Sequence, residues 1–378
     1  MKRIIIIAIL LCIILMGILC AELCAEVSSV GSWTGKASGA PFGLRSFPAV
    51  TVFSDQLWVI GGEGESNLTN DVWSSVDGKN WTLVTGHAGF SPRMNHEVVV
   101  FLGRLWIIGG NNKEVWSSPD GKNWTLETGT APFGIRASAG VTVFQNRLWV
   151  IGGYSDSGPT NDVWSSANGR DWTLETKDAG FTPRWGSAVT TMNNKLWVIG
   201  GSYTTDVWSS ENGRNWTLVT ADAPFEPVNF RTVTVYNNTL WLIGGSSYPP
   251  THEMNLFPYS FNDVWSSPDG KNWHLETEHA GFTPRFGYGT AVFNNDLWVI
   301  SGNTVANNPT DIVWDVSLSS ILSKTANMTN VPVTPDQIPG VSQAPTTTQS
   351  SPLPVWVTIA VFAGVAIAYA CIRKKQRF

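Results

Sequence analysis

Short apolar runs rich in β-branched side chains alternate with polar, glycine-bearing turns along most of this chain, and one run keeps returning. LeuTrpValIleGlyGly begins at Leu57 and recurs with small changes at Leu105, Leu148, Leu196, Leu240 and Leu297. The start-to-start spacings are 48, 43, 48, 44 and 57 residues. Runs this short, between turn signals, suit strands rather than helices. In the first unit the pattern predicts strands over 49–53, 57–60, 71–75 and 81–84. They are separated by a tight turn at 54–56, a stop at Gly61-Gly62 and an Asp77-Gly78 hairpin. Four short strands in a period of 40–50 residues are the signature of a propeller blade, which buries both faces only by stacking on neighbours. The expected fold class is all-β, a six-bladed β-propeller of four-stranded antiparallel blades.

Of 20 tryptophans, 18 fall at three repeated places: Trp58 and its equivalents on second strands, Trp73 on third strands, Trp81 on fourth strands. The last unit has none after Trp314, and the missing one stands at the other end of the chain, at Trp33. The N-terminal segment is therefore expected to supply the outer strand of blade six. Such a closure leaves no open sheet edge.

The Gly-Gly doublet after an apolar strand, followed by ValTrp and a later Trp, resembles the kelch repeat, over roughly residues 32–316. The turn from Ser75 to Trp81 also resembles the Asp-box of sialidase-type propellers, one residue shorter. Both likenesses imply a propeller, and both motifs are hairpin and packing devices that carry no catalysis. A finer alternation runs through the loops before the inner strands. AlaProPhe at Ala40, Ala131 and Ala223 alternates with AlaGlyPhe at Ala88, Ala179 and Ala280, so the duplicated unit was a pair of blades.

The ends carry an address. Residues 1–25, with Lys2-Arg3 before an apolar run, read as a signal peptide. Residues 26–320 form the propeller. Residues 321–354, rich in Thr, Pro, Ser and Gln, read as an extended stalk suited to O-glycosylation. Residues 355–372 are an uncharged stretch of membrane-spanning length, and the basic tail 373–378 is expected in the cytoplasm. The expected location is thus the cell membrane, single-pass, with the propeller outside.

Composition narrows the chemistry. All four cysteines (Cys12, Cys20, Cys24, Cys371) lie in or beside the terminal segments, so no thiol is available to the propeller. A copper oxidase of the kelch-like kind needs a cysteine ligand; no metal and no cofactor are expected. The net charge of −5 becomes about −11 once the six basic residues at the extreme ends are set aside, the wrong sign for a nucleic-acid partner. Among the Asn-x-Ser/Thr sequons, Asn67 in a loop and Asn327 in the stalk are the candidate glycosylation sites.

Residues at blade-to-blade and second-to-third-strand loops share one face, and these loops vary in length. The longest, from Ser246 to Asn262, carries Tyr248, His252, Glu253 and Tyr259 and is the candidate recognition loop. Arg45, Arg93, Arg136, Arg184 and Arg285 each stand 12 residues before a repeat Leu, whereas blade five has Val228 there with Arg231 nearby. A ring of guanidinium groups would suit carboxylates, as on acidic sugars. However, Asp71, Glu114, Asp162, Asp206, Asp263 and Asp311 recur with the same period, and matched rings of acids and arginines point to repeated ion pairs. Two function classes stay open. One is a non-enzymatic binding or adhesion module for a surface protein or glycan, anchored through its C-terminal helix. The other is a sialidase-like hydrolase or lyase. A non-repeating acid or Tyr at the channel mouth would favour the second, and a loop-built apolar patch the first.

Overall fold

A computed structural model describes residues 33–247, 259–304 and 312–317. All of them belong to the first of the chain's two compact units, Met1–Asn330. The expected signal peptide, stalk, membrane span and basic tail lie outside the described residues. Among the described residues no helix is long and apolar enough to cross a membrane.

Each blade is built from the channel outward. In blade one Ala49–Phe53 pairs antiparallel with Gln56–Gly64, that strand with Leu68–Ser75, and that one with Thr82–Thr85. Four-stranded sheets within 96–128, 140–176, 188–220 and 232–277 form blades two to five. The innermost strands touch in a closed circuit, from 49–53 through 96–101, 140–144, 188–192, 232–236 and 289–293 back to 49–53. That circuit fixes the blade number at six. The inner hairpins turn on two residues in the left-handed region, such as Ser54 (φ 48°) and Asp55 (φ 56°) or Asn193 (φ 52°) and Asn194 (φ 54°). Turns with both φ positive match the right-handed twist of the strands they join.

The expected stop at Gly61-Gly62 is instead a bulge. The register slips between Ile60 and Gly62, with both glycines in the left-handed region, and the strand runs on to Gly64. The same slip follows Ile151, Ile199 and Ile243. Only glycine fits: a Cβ on Gly62 would sit 2.9 Å from the Ser46 carbonyl oxygen.

The second strands are fully buried because each lies between two blades. Leu57, Val59 and Ile60 are 0% exposed, and they pack with residues of the adjoining blades. The tryptophan between them links the blades by a repeated contact. Trp58 donates its Nε1–H to the Phe53 carbonyl at 2.8 Å. Its ring lies under Gly121 of the next blade's outer hairpin, where an added Cβ would fall on the indole. Gly169 lies likewise on Trp106, Gly213 on Trp149, Gly270 on Trp197 and Gly78 on Trp298. These hairpins are pinned from inside. Asp77 accepts the N–H groups of Lys79 and Asn80 at 2.8 Å each, and the Asn80 bond foremost holds its carboxyl down to about 2. Asn80 also donates its side-chain amide to Asp77, which accounts for that sequon as turn chemistry.

Blade six takes Gly289–Phe293, Asp296–Ile300 and Val313–Ser317 from the C-terminal side. Its outermost strand is Thr34–Ala37, antiparallel to Val313–Ser317 with Gly35 opposite Trp314. Trp33 packs edge-on against Phe282 at 4.9 Å, the same contact that Trp81 makes with Phe42 at 5.1 Å.

Two stability changes follow. Gly121→Ala forces a side chain into the left-handed region (φ 73°) and into Trp58. It is expected to cost about 2–4 kcal/mol, lowering the melting midpoint by roughly 5–10 °C; an unchanged midpoint would show that the contact is dispensable. Deleting residues 33–37 uncovers the edge at 313–317 and is expected to abolish the single cooperative transition seen by calorimetry. An unaltered melting curve would count against closure.

Candidate functional site

The repeated arginines are where the fold positions its strongest charges. Arg184 is 1% exposed. Its guanidinium forks onto Asp206, 2.6 Å from Oδ1 and 2.8 Å from Oδ2, and donates to the Gly200 carbonyl of the bulge at 3.0 Å. It lies over the Phe181 ring at 5.3 Å. The Asp206 carboxylate also accepts the Trp208 indole N–H at 2.7 Å. Arg45 with Asp71, Arg93 with Glu114 and Arg136 with Asp162 repeat the pairing. Arg285 donates to the Ser301 carbonyl at 2.9 Å, and Asp311, its acid in the repeat, lies outside the described residues. Burial alone would raise the Asp206 carboxyl, yet the Arg184 bonds and the Trp208 N–H outweigh it and hold the group below its ordinary value.

Blade five completes the set from a different position. Arg231 reaches Asp263 with two bonds of 3.0 Å and lies over Phe225 at 5.4 Å. Val228, at the expected position, is buried. The arginines are therefore not an open ring of cations awaiting an acidic ligand. Arg45, Arg93, Arg136, Arg184 and Arg285 are each at most 4% exposed, and the first four are spent on acids of their own blades. Of the loop residues, Tyr248, His252 and Glu253 lie outside the described residues, as does Asn327. Tyr259 opens the third strand of blade five and is 57% exposed. Asn67 is exposed in the loop 65–67.

The channel mouth is where the repeat breaks. Two residues after each arginine position stands a left-handed residue: Phe47, Asn95, Ser138, Gly186, Phe230 and Gly287, with φ between 50° and 63°. Their backbones link around the mouth, Phe47 N–H to Gly287 O (2.6 Å), Ser138 to Asn95 (3.0 Å), Gly186 to Ser138 (3.0 Å) and Phe230 to Gly186 (3.0 Å). Glycine suits such a backbone; phenylalanine at positive φ is costly, by about 1–3 kcal/mol. Both phenylalanines nevertheless sit here, half-buried, with ring centroids 5.0 Å apart. Phe286 stacks on Phe230 at 6.3 Å, Trp185 meets Phe230 at 5.2 Å, and Tyr154 meets Trp185 at 6.3 Å. Blades three to six and one thus carry an aromatic patch that no repeat position explains. Ser246, at the root of the long loop, pairs with Asn229 immediately beside Phe230.

The opposite side of the mouth is polar, with Asn95, His96 and Glu97 from blade two and Ser138 from blade three. Glu97 occupies a register position filled elsewhere by Ala49, Gly140, Ala188, Thr232 and Gly289. Its side chain is exposed to the channel, and the protein crowded around it raises its carboxyl toward 7, a shift that solvent in the channel moderates. The cavity between the two sides has a volume of about 90 Å³. Among its described lining residues Glu97 is the one carboxylate. Tyr288 is tied down, donating to the Ile243 carbonyl at 2.7 Å, and burial pushes its hydroxyl further up. A wider open recess of about 620 Å³ at the seam of blades four and five is walled mostly by repeat positions such as Asp206, Ala223 and Phe225. Among the described residues no group of three or more His, Cys, Asp or Glu side chains is placed to hold a metal.

Sequence reasoning missed Phe47, Trp185, Phe230 and Glu97. The signal was present: aligning the repeats in columns exposes Glu97 among small residues and Trp185 as one of two tryptophans off the repeated positions.

Comparison with known proteins supports the architecture. Residues 28–138 match the DUF6242 β-propeller domain, and residues 135–165 match the kelch motif. No curated protein matches the chain. Many solved chains do, among them the structure of YjhT, which is 17% identical with a TM-score of 0.59 over 71% of this chain and 94% of that one. That likeness shows the fold alone. The chain is a kelch-type six-bladed propeller.

The ion pairs make a test of their own. Arg184→Ala leaves a half-buried Asp206 without its partner and is expected to cost about 2–4 kcal/mol, whereas the double change Arg184→Met, Asp206→Leu costs much less. Because Asp206 is held low in the folded state, its contribution is present above the ordinary carboxylate range, near 3.9, and fades as pH falls through its lowered value. Urea titrations of wild type and Asp206→Asn from pH 7 downward should therefore converge at acid pH. Parallel curves would mean that the pair is not titrating.

Proposed function

We propose that this chain is a surface-anchored, non-enzymatic binding module that takes a protein or glycan ligand across the channel mouth on its loop face. The observation that supports this is the aromatic group formed by Phe47, Trp185, Phe230 and Phe286. It departs from the repeat, and two members are held in a backbone conformation that glycine would adopt more cheaply. Strain kept against an available cheaper residue is a mark of function rather than packing. Half-buried aromatic surface (Phe47, Trp185 and Phe230 over a buried Phe286) beside polar groups is also the ordinary character of a ligand site. The anchoring half of the reading rests on residues 321–378, whose stalk, apolar span and basic tail are features of sequence.

A second reading, a glycan-processing enzyme, is supported by Glu97, an acid that breaks the repeat at the mouth and whose carboxyl lies near 7. Ordinary glycoside hydrolysis takes two carboxyl groups and a sialidase a Tyr with a carboxylate partner; Glu97 is the one carboxylate among the described lining residues, and Tyr288 there is tied to the Ile243 carbonyl. The enzymatic reading therefore depends on a second acid or a free Tyr beside Glu97. The binding reading needs only the rim.

The test is binding of the purified full chain to panels of surface proteins and oligosaccharides. Phe47→Gly and Phe230→Gly remove the rings while suiting the backbone, and Trp185→Ala removes the third. Each is expected to weaken binding by about tenfold or more, with the fold intact. Lys122→Glu, on the hairpin face, should leave binding unchanged. Rim variants that bind like wild type would overturn the assignment of the mouth.

A further inference from the structure

The recess at the seam of blades four and five is open for a reason that the other seams make visible. In blades one, three and five the residue before the third-strand acid is Asn70, Asn161 or Asn262, and its side-chain amide ties down the loop leading to the next blade. Asn70 donates to the Ala88 and Phe90 carbonyls at 3.0 and 2.9 Å, and Asn262 to the Ala280 and Phe282 carbonyls at 2.8 and 2.7 Å. Asn161 reaches the Phe181 carbonyl at 2.8 Å. Blade four has Thr205 at this place, and its hydroxyl turns instead to the Asp222 carboxylate at 2.9 Å. Ala223 and Phe225, the counterparts of the tied residues, line the recess, and neither carbonyl accepts a hydrogen bond from the described residues. The volume of about 620 Å³ lies within the range of about 300–1,000 Å³ usual for a ligand site.

The walls carry charge of one sign. Asp222 and Glu226 are exposed carboxylates on the recess, and none of its described lining residues is a cation. Glu226 stands where other blades have Gly43, Ser91, Gly134, Thr182 and Thr283. Ser91, Thr182 and Thr283 accept a bond from the arginine of their own blade. Blade five draws its arginine from position 231 and forks it onto Asp263, which leaves this position to an acid. The third acid of the recess, Asp206, is already matched by Arg184. At the seam of blades two and three Lys113 replaces the asparagine, yet the counterparts of the two free acids are Thr130 and Gly134. Among the described residues the missing amide and the two acids therefore coincide at one seam. Tyr203, 41% exposed, and Pro224 and Pro227 supply the apolar walls. The recess adjoins the mouth, since the Tyr203 N–H donates to Asn229 Oδ1 at 3.2 Å, next to Phe230.

An arginine side chain answers these features together. Its guanidinium is a planar N–H donor, as is the amide that fills the sister seams, and it carries the opposite charge to the walls. It is also weakly hydrated and so tolerates aromatic and proline walls better than an ammonium group does. We infer that this recess receives an arginine of a partner protein, its guanidinium set against the Asp222 and Glu226 carboxylates and its N–H groups turned toward the Ala223 and Phe225 carbonyls. The surrounding face favours the approach of a basic surface, with Glu63, Glu65, Asp156, Asp178 and Glu278 exposed against Lys113 and Lys177. This inference rests on the reading that the loop face binds a partner, and it selects protein over glycan and gives the partner's chemistry.

The experiment uses the purified full chain, immobilised for interferometry, and pentapeptides GSXSG displayed on streptavidin, with X arginine, lysine, citrulline or norleucine. Citrulline keeps the planar donors without the charge, and lysine keeps the charge without the plane. Thr205→Asn, Asp222→Thr and Glu226→Thr each adopt the residue type that a sister seam holds at the same place, Asn70, Thr130 and Thr182, so all three should fold. Thr205→Asn supplies the amide from within and should melt no lower than wild type.

The arginine probe is expected to bind about fivefold or more tightly than the lysine and citrulline probes. Thr205→Asn should weaken it by about tenfold, and Asp222→Thr and Glu226→Thr by about threefold or more each. Equal binding of the arginine and lysine probes, indifferent to Thr205→Asn, would reveal only the diffuse charge of the face and overturn the inference. Preference for citrulline or norleucine, no binding of the arginine probe, or arginine binding that ignores all three variants overturns it as well. Phe47→Gly separates this inference from the reading of the mouth. A surface protein whose binding responds to Phe47→Gly but not to Thr205→Asn sinks the recess and keeps the mouth. One that responds to Thr205→Asn alone supports the recess and sinks the mouth, and one that responds to neither sinks both.

Discussion

The buried fork between an arginine and an acid is the interaction on which the rest of this propeller depends. In each complete instance the guanidinium reaches the third strand through its acid, and in blades one and four it also bonds the bulge glycine of the second strand. In most blades it rests on a phenylalanine ring from the loop before the inner strand. The same residue's backbone carbonyl accepts an N–H from the preceding blade, Gly62 to Arg93, Gly110 to Arg136, Gly153 to Arg184 and Gly302 to Arg45. One side chain thus sets the spacing within a blade while its own peptide unit sets the angle to the next. A charge this buried is tolerated only with its partner in place, which makes the geometry specific rather than merely stable. Blade five shows that the place matters more than the position. There the chain supplies Arg231 from three residues further on, and the fork to Asp263 is the same.

Much of this was legible in the sequence, because a repeat averages away local ambiguity. Six copies of one apolar strand, with tryptophans at fixed offsets, are enough to give the blade, the blade number and the donation of Trp33 to the last blade. The matched periods of arginines and acids likewise announced ion pairs. Two things were not legible. The Gly-Gly doublet reads as a strand end, since glycine usually interrupts strands, but here it is a bulge that lets the strand continue. The mouth was hidden for a different reason. Phe47, Trp185 and Phe230 come from three blades that are far apart in sequence, and only closure of the ring brings them within 5.2 Å of one another in pairs. Attention to loop length singled out the segment after Ser246, whereas the informative departures were single residues in loops of ordinary length.

The division of labour is thereby clear at the level of residues. Positions that recur hold the scaffold: bulge glycines, forked arginines, hairpin glycines under tryptophan rings. Positions that do not recur gather around the axis. The six left-handed residues there form a permissive frame, since their backbone links do not depend on side chains. Such a frame can carry phenylalanine on one side and asparagine or serine on the other without altering the blades behind it. Side chains there can change by substitution while the cost stays local.

The strand Val313–Ser317 is bonded along both edges, to Asp296–Ile300 on one side and Thr34–Ala37 on the other. Chain leaving at Ser317 therefore pulls along the strand axis, across two sets of hydrogen bonds that bear load together in shear instead of parting one after another like a zip. Lys36 adds a cross-link to Asp315 at 2.9 Å within the same seam. A load applied along Val313–Ser317 would thus be shared by both ladders at once, which is the arrangement that holds a closed sheet together under drag.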